Sequence, residues 1–189
     1  PRKMRNIFKI SFTLFLFLTF ASFNNQPKNE ISESREWISL FNGKTFDGWH
    51  SYNGDEISKK WSIENGVMVF DPKNPNVKNP TSSGNIVTDQ EFTNFELYLE
   101  WNVSEVGNSG LFWGVKEIEV LSQPYLTGAE IQILDNDRHP DAKNNPKFHQ
   151  SGALYDMVQP ESDVCNPAGQ WNIMILKINH AENLGSVKL

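Results

Sequence analysis

The chain has 189 residues, with 17 Lys and Arg against 23 Asp and Glu for a net charge of −6. That length suits one domain plus a tail, and the acidic balance argues against nucleic acid, whose binding demands a basic surface. A single cysteine, Cys165, excludes an intramolecular disulfide, so core packing alone must hold the fold. Cys165 itself reads as a small buried hydrophobe rather than a nucleophile.

Residues 1–23 read as a secretory signal. From Met4, Arg5 and Lys9 give a basic start, Ile10 to Phe20 is nearly all apolar, and Ala21 supplies the small residue near a cleavage site. The apolar run is shorter than the ~20 residues a membrane span needs, and no cysteine follows it to carry a lipid. The chain is therefore expected in the periplasm or outside the cell, with no stable membrane anchor after cleavage. Residues 24–36 are polar and charged, and read as a linker.

From Trp37 onward the punctuation is that of an all-β fold. Asn42-Gly43, Asp47-Gly48 and Asn65-Gly66 are turn pairs. Trp61-Ser62-Ile63-Glu64 and Val67-Met68-Val69-Phe70 flank Asn65-Gly66, a strong hairpin signal. Residues 71–84 form a loop rich in Pro, Asn and Ser. Leu97, Leu99, Trp101 and Val103 alternate with polar residues, which predicts a half-buried strand. A tight corner at residues 107–110 leads into a strand over 111–115, and further strands are predicted at 130–133 and 171–178. No segment has the period of a long amphipathic helix, and 137–150 is irregular. Short strands separated by turns, without a repeat, indicate a two-sheet sandwich over residues 37–189.

Two stretches carry candidate chemistry. In Glu130-Ile131-Gln132-Ile133-Leu134-Asp135, strand parity puts Glu130 and Gln132 on one face. A carboxylate there serves as acid or base and an amide binds hydroxyls; ordinary polar alternation on a solvated face explains the pattern equally well. Asp135 joins the set if a bulge resets the register. In the second stretch, His149 precedes a small-residue turn and the pair Tyr155-Asp156, and suits proton transfer or carbonyl polarisation. Asn108 sits at the corner before Phe112 and Trp113, where it either places an amide beside a sugar or simply makes the turn. No HExxH, CxxC or EF-hand spacing is present.

In chain order, Trp37 to Trp49 (WISLFNGKTFDGW), Trp61 to Val69, Asn108-Ser109-Gly110-Leu111-Phe112, Glu130 to Asp135, Gly152-Ala153-Leu154-Tyr155-Asp156 and Pro167-Ala168-Gly169-Gln170-Trp171-Asn172 resemble the motifs of the 3-keto-disaccharide hydrolase domain family, with Gln170 where that family commonly has Glu. The resemblance implies a concanavalin-like jelly roll whose strands ordinarily continue past the position of Leu189, so that the sandwich is expected to be C-terminally truncated here. It also implies action on 3-keto-glycosides. A ketone at C3 acidifies the C2 proton, a base removes it, the enolate expels the C1 substituent, and water adds back. Glu130 and His149 are then the candidates for base and proton donor, in either order, with Asn108, Gln132, Asp135 and Tyr155 as substrate-binding residues. No cofactor is evident, although a divalent cation would equally stabilise an enolate; the partner is an oligosaccharide or glycoside.

Two other readings stay open. The Glu130 strand is similar to the Glu-x-Asp-x-x-Glu strand of laminarinase-type retaining glucanases, but with Gln132 in place of the central acid. A non-catalytic carbohydrate-binding module uses the same fold.

Overall fold

A computed structural model describes residues 8–15, 37–77 and 84–189, the first of these as backbone only. Eleven strands make up nearly all of its regular structure: β1 Phe8–Phe15, β2 Trp37–Ser39, β3 Trp49–Ser51, β4 Trp61–Glu64, β5 Val67–Phe70, β6 Ile86–Thr88, β7 Phe95–Asn102, β8 Asn108–Trp113, β9 Ala129–Leu134, β10 Asn172–Asn179 and β11 Leu184–Lys188. The single α-helical turn among the described residues is α1, Asp141–Asn144. All strand pairing is antiparallel.

The β4–β5 hairpin turns on Asn65 and Gly66, at φ 52° and 76°. Two consecutive positive φ values are what a two-residue loop matched to strand twist requires, and Asn-Gly is the pair that adopts them at least cost. The large sheet runs β11-β10-β7-β1-β5-β4, with β2 also paired to β1. Along β7, Leu97, Leu99 and Trp101 are buried while Tyr98, Glu100 and Asn102 are only partly so; β10 repeats the pattern with Met174, Leu176 and Ile178 inside and Ile173 and Lys177 outside. The period-two spacing thus aligns two apolar rows on one face of the sheet.

That face packs against a second layer built on β8 and β9. Ile131 and Ile133 of β9 belong to the same buried cluster as Leu99, Trp101, Met174 and Leu176, with Leu111 and Trp113 of β8 packed against it. The result is a β-sandwich, as the sequence predicts. The second layer gains a further edge from the 151–155 segment, which runs antiparallel to β9. Gln132 N donates to Ala153 O (3.0 Å), Tyr155 N donates to Glu130 O (3.0 Å), and Ile131 pairs with Leu154.

Several boundaries differ from expectation. The corner before β8 lies at Ser104–Gly107, closed by Gly107 N donating to Ser104 O (2.9 Å). Asn108, Ser109 and Gly110 are therefore already strand. Strand β11 was not anticipated, because Leu184-Gly185-Ser186-Val187-Lys188 lacks alternation and is mostly exposed. Residues 8–15, within the stretch that reads as an export signal, form β1 between β7 on one side and β5 and β2 on the other. Their sequence alternates Phe8, Ile10, Phe12 and Leu14 with Lys9, Ser11 and Thr13, which suits a strand as well as a signal. The rest of the expected signal, the expected linker and positions 78–83 of the 71–84 loop lie outside the described residues.

Candidate functional site

The outer face of the β8–β9 layer carries Glu130, the carboxylate expected from the sequence. Glu130 is paired across the ladder with Phe112 of β8 and, on its other side, lies opposite Tyr155, whose amide bonds its carbonyl. Paired residues share a sheet face, so an aromatic ring flanks the carboxylate on each side. The carboxylate itself lies over Gly110. A Cβ at Gly110 would overlap the Glu130 side chain, coming within 2.8 Å of Cγ and 2.7 Å of Cδ, so only glycine leaves this space open. Burial pushes the Glu130 carboxyl up to about 7, with the neighbouring Asp141 carboxylate adding to the effect. It therefore exchanges a proton near neutrality, where a general base or acid works best.

Behind Glu130 stands a connected set of groups. Tyr155 donates its hydroxyl to Asp141 Oδ2 (3.0 Å) and stacks on His149, with ring centroids 4.2 Å apart and planes 14° apart. His149 is 8% exposed. Its Nδ1 lies 3.0 Å from Asp141 Oδ1 and 3.3 Å from the Tyr155 hydroxyl, and its Nε2 lies 2.6 Å from Asp156 Oδ1. Desolvation works against charge on this ring, but the hydrogen bonds to Asp156 and Asp141 outweigh it and the pKa is raised. Desolvation and the bond to Asp141 push the Tyr155 phenol up to about 12, so it keeps its proton at neutral pH. Asp156 adopts φ 59°, and Asn145 Nδ2 also donates to it (3.3 Å). Its pKa is lowered, first by the hydrogen bond from His149.

The structure thus brings together Glu130, His149 and Tyr155 of the residues expected from sequence. Of the other three, Gln132 lies beside Glu130 but buried, and Asp135 and Asn108 lie further along the strands. Gln132 shares the Glu130 face but is 1% exposed, with its Oε1 accepting from the Ile133 amide (3.2 Å) and its backbone paired to Gly152 and Ala153. Asp135 is 3% exposed and spends its oxygens on the Val106 amide (2.8 Å), the Asp137 amide (3.2 Å) and Arg138 (3.5 Å), which fixes the corner and the start of the following loop. Asn108 is exposed but pairs with Leu134, four residues along the ladder from Phe112 and Glu130 or ~13 Å at strand rise.

Asp141, Asp156 and Gly110 are the members that sequence reasoning missed. Asp156 was in view as the partner of Tyr155 in sequence. Asp141 gives no signal, because its approach depends on the path of the irregular 137–150 stretch. His149 also differs from expectation in one respect: both ring nitrogens are occupied by carboxylates, so it faces protein rather than an open site.

Among the described residues no group of three His, Cys, Asp or Glu side chains is arranged to hold a metal ion. The oxygen-rich clusters that do occur are closed on their own histidines, His149 as above and His50 between Asp89 (2.6 Å) and Glu117 (2.8 Å). The Cys165 thiol is pushed up to about 11, chiefly by burial, and packs against the core, which makes it a poor nucleophile. A groove of about 810 Å³ opens on the inner side of the β8–β9 layer, lined by Leu154, Leu176, Ile178, Val187 and Leu189 among others. Glu130 is not among the residues that line it.

Comparison with known proteins agrees with this architecture. Residues 36–183 match the model of the 3-keto-alpha-glucoside-1,2-lyase-like domain. The chain is 38% identical over 161 residues to a 3-keto-disaccharide hydrolase of Bacteroides thetaiotaomicron, covering 78% of this chain and 56% of that relative. Two crystal structures of proteins from Parabacteroides distasonis, each provisionally described as a glycosyl hydrolase, have related folds. One superposes with a TM-score of 0.66 at 32% identity, covering 75% of this chain and 63% of the other; the second has a TM-score of 0.50 at 26% identity, covering 68% and 62%. The chain thus spans roughly three fifths of the length of the relatives it matches. The match over most of its length places this chain in the 3-keto-alpha-glucoside-1,2-lyase-like domain family.

Proposed function

We propose that this domain is a carbohydrate-active enzyme that cleaves 3-keto-glycosides, with Glu130 as the base that takes the C2 proton. The observation that carries this reading is the Glu130 carboxylate, half-buried over Gly110 with a pKa raised to about 7. A proton next to a ketone is acidic enough for a carboxylate to remove when the base is desolvated and positioned. Loss of that proton gives an enolate across C2, C3 and the keto oxygen. Collapse of the enolate re-forms the C3 carbonyl, makes a C1–C2 double bond and breaks the bond from C1 to its substituent. Addition of water across C1–C2 then completes hydrolysis; release before that step makes the reaction a lyase. The name of the Bacteroides thetaiotaomicron relative supports the same substrate class.

Phe112 and Tyr155 beside Glu130 offer apolar faces to a sugar ring. The retaining-glucanase reading needs a second carboxylate facing the same bond, and the strand instead presents buried Gln132 and engaged Asp135. The apolar start of the chain supports export, which makes the periplasm or the exterior the proposed place of action.

The test is proton exchange at C2. In deuterated water, a 3-keto-glucoside incubated with the protein should gain deuterium at C2 and lose its aglycone, while the unoxidised glucoside is untouched. Glu130→Gln should reduce both processes by about 100- to 10,000-fold. Cleavage of the unoxidised glucoside would favour the glucanase, and binding of both sugars without turnover would favour a binding module.

A further inference from the structure

Expulsion of an alkoxide from C1 requires a proton donor, and the group best placed to supply it is not His149. Both of its nitrogens face carboxylates, Asp141 at 3.0 Å and Asp156 at 2.6 Å, and its ring is covered on one face by Tyr155. Tyr155 is the member of this set that the backbone pairs with Glu130. The β9 pairing puts it directly opposite Glu130, and its hydroxyl lies within reach of both Asp141 and His149.

We propose that Tyr155 is the proton donor to the departing C1 oxygen, and that His149, locked by Asp141 and Asp156, is a positioning residue that stabilises the phenolate Tyr155 leaves behind. The inference rests on the reading of Glu130 as the C2 base. The cycle balances within these groups. Glu130 takes the C2 proton, and the electron pair of that C–H bond passes into the enolate. As the C1–O bond breaks, its electron pair goes to the leaving oxygen, which takes the Tyr155 hydroxyl proton and departs as an alcohol. The phenolate then accepts the His149 Nδ1–H as a hydrogen bond. When water adds at C1, its proton returns to Tyr155, and the proton held on Glu130 returns to C2.

The charges around Tyr155 agree with this order. Asp141, Asp156 and Glu130 all oppose a phenolate, so the phenol stays protonated until a stronger base, the nascent alkoxide, appears beside it. His149 is the one imidazole within 3.5 Å of its oxygen among the described residues, and its pKa is raised by the hydrogen bonds to Asp156 and Asp141 against the desolvation that lowers it. The exposed carboxylate of Asp156, with 62% of its side chain in solvent, holds the Nε2 side of the imidazole, while Asp141 on the Nδ1 side is largely covered at 19%.

Leaving-group dependence tests the assignment. Methyl 3-keto-glucoside loses an alkoxide and needs a proton; 4-nitrophenyl 3-keto-glucoside loses a stable phenolate and does not. Tyr155→Phe, which keeps the ring and its stacking, should slow the methyl substrate by about 100-fold or more, leave the nitrophenyl substrate within about tenfold of wild type, and retain deuterium exchange at C2. His149→Gln should show the same split between substrates at smaller amplitude. Equal losses on both substrates, or no loss on the methyl substrate, would overturn the role of Tyr155. Loss of C2 exchange in Glu130→Gln is read separately: wild-type exchange in that variant would sink the base assignment itself and leave the leaving-group comparison to stand or fall alone.

Discussion

Tyr155 and His149 stack with their planes 14° apart and their centroids 4.2 Å apart, while the hydroxyl of one reaches to 3.3 Å from Nδ1 of the other. Stacking fixes the imidazole plane, and the carboxylates of Asp141 and Asp156 fix its rotation within that plane. The ring is therefore an internal tie between α1, the 145–149 turn and the 151–156 segment. Such a tie has a pH dependence. The His149 pKa is raised in the folded chain despite the desolvation that opposes it. A group of that kind contributes stability that is fully present below the unfolded value near 6.5 and is lost as pH rises through the folded value. His149→Ala should therefore lower the melting temperature more at pH 6 than at pH 9, because it removes a charged tie at the former and a neutral one at the latter. Thermal denaturation at the two pH values checks this; an equal decrement at both would show that the imidazolium contributes nothing.

Glu130 behaves in the same sense for a different reason. Its carboxyl is raised from 4.5 to about 7, chiefly by burial, so the folded chain holds a proton that the unfolded chain gives up. This contribution to stability is present below the unfolded value and is lost as pH rises through about 7. Glu130→Gln keeps the volume and avoids burying a charge. The variant should gain melting temperature over wild type on going from pH 5 to pH 8, even as it loses turnover. A variant that becomes relatively less stable at pH 8 would mean that the carboxylate is well solvated where it stands. Stability gained at the expense of activity is the pattern expected where a site keeps a strained group for use.

Much of this architecture can be read from local sequence, and the residues show where that stops. Asn65-Gly66 announces its hairpin because the turn needs two positive φ values that few other pairs adopt cheaply. The alternation in β7, β9 and β10 reports which side chains share a face. It does not report how deeply each side chain on that face is buried, which is why Gln132 looks available in sequence and is 1% exposed in the fold. The corner before β8 was misplaced for a related reason. Its positive-φ residue is Val106 at 57°, a β-branched residue that no turn rule selects, held there by its amide bond to Asp135 Oδ2. Asp141 was invisible because its place beside Tyr155 depends on that same Asp135, whose carbonyl accepts the His139 amide (3.0 Å) and whose carboxylate accepts that of Asp137 (3.2 Å), setting the path of the following loop.

Gly110 offers a test of how closely the Glu130 carboxylate must be placed. A methyl group there would overlap the carboxylate, which sits at the end of a flexible side chain and can swing away. Gly110→Ala should consequently change the melting temperature little but move the base off its position. Displacement of a catalytic group by about 1 Å costs on the order of 100-fold, so turnover of a 3-keto-glucoside should fall by about that factor. The same variant with unchanged turnover would place the reactive position of Glu130 elsewhere than over Gly110.

The final prediction concerns β1, because its residues lie inside the stretch that reads as an export signal. In the sheet, Lys9–Phe15 pairs with β7 from Asn102 to Glu96, Phe8–Ile10 pairs with β5, and Thr13–Phe15 pairs with β2. Cleavage after Ala21 would remove that strand from between its neighbours. The facing edges of β7 and β5 would then stand two strand spacings apart, or ~9.6 Å, with unpaired backbone groups along both. Open edges of this kind recruit other strands, including those of further copies. A chain beginning at residue 22 should therefore self-associate, and its β7 amides should exchange hydrogen faster than in the full chain. A synthetic peptide of residues 8–15 added in excess should slow that exchange, whereas a scrambled peptide should not. Size-exclusion chromatography and hydrogen exchange on the two chains measure both effects. Equal protection of the β7 amides with and without residues 1–21 would show that β1 is dispensable to the sheet, and that export and folding do not compete for this segment.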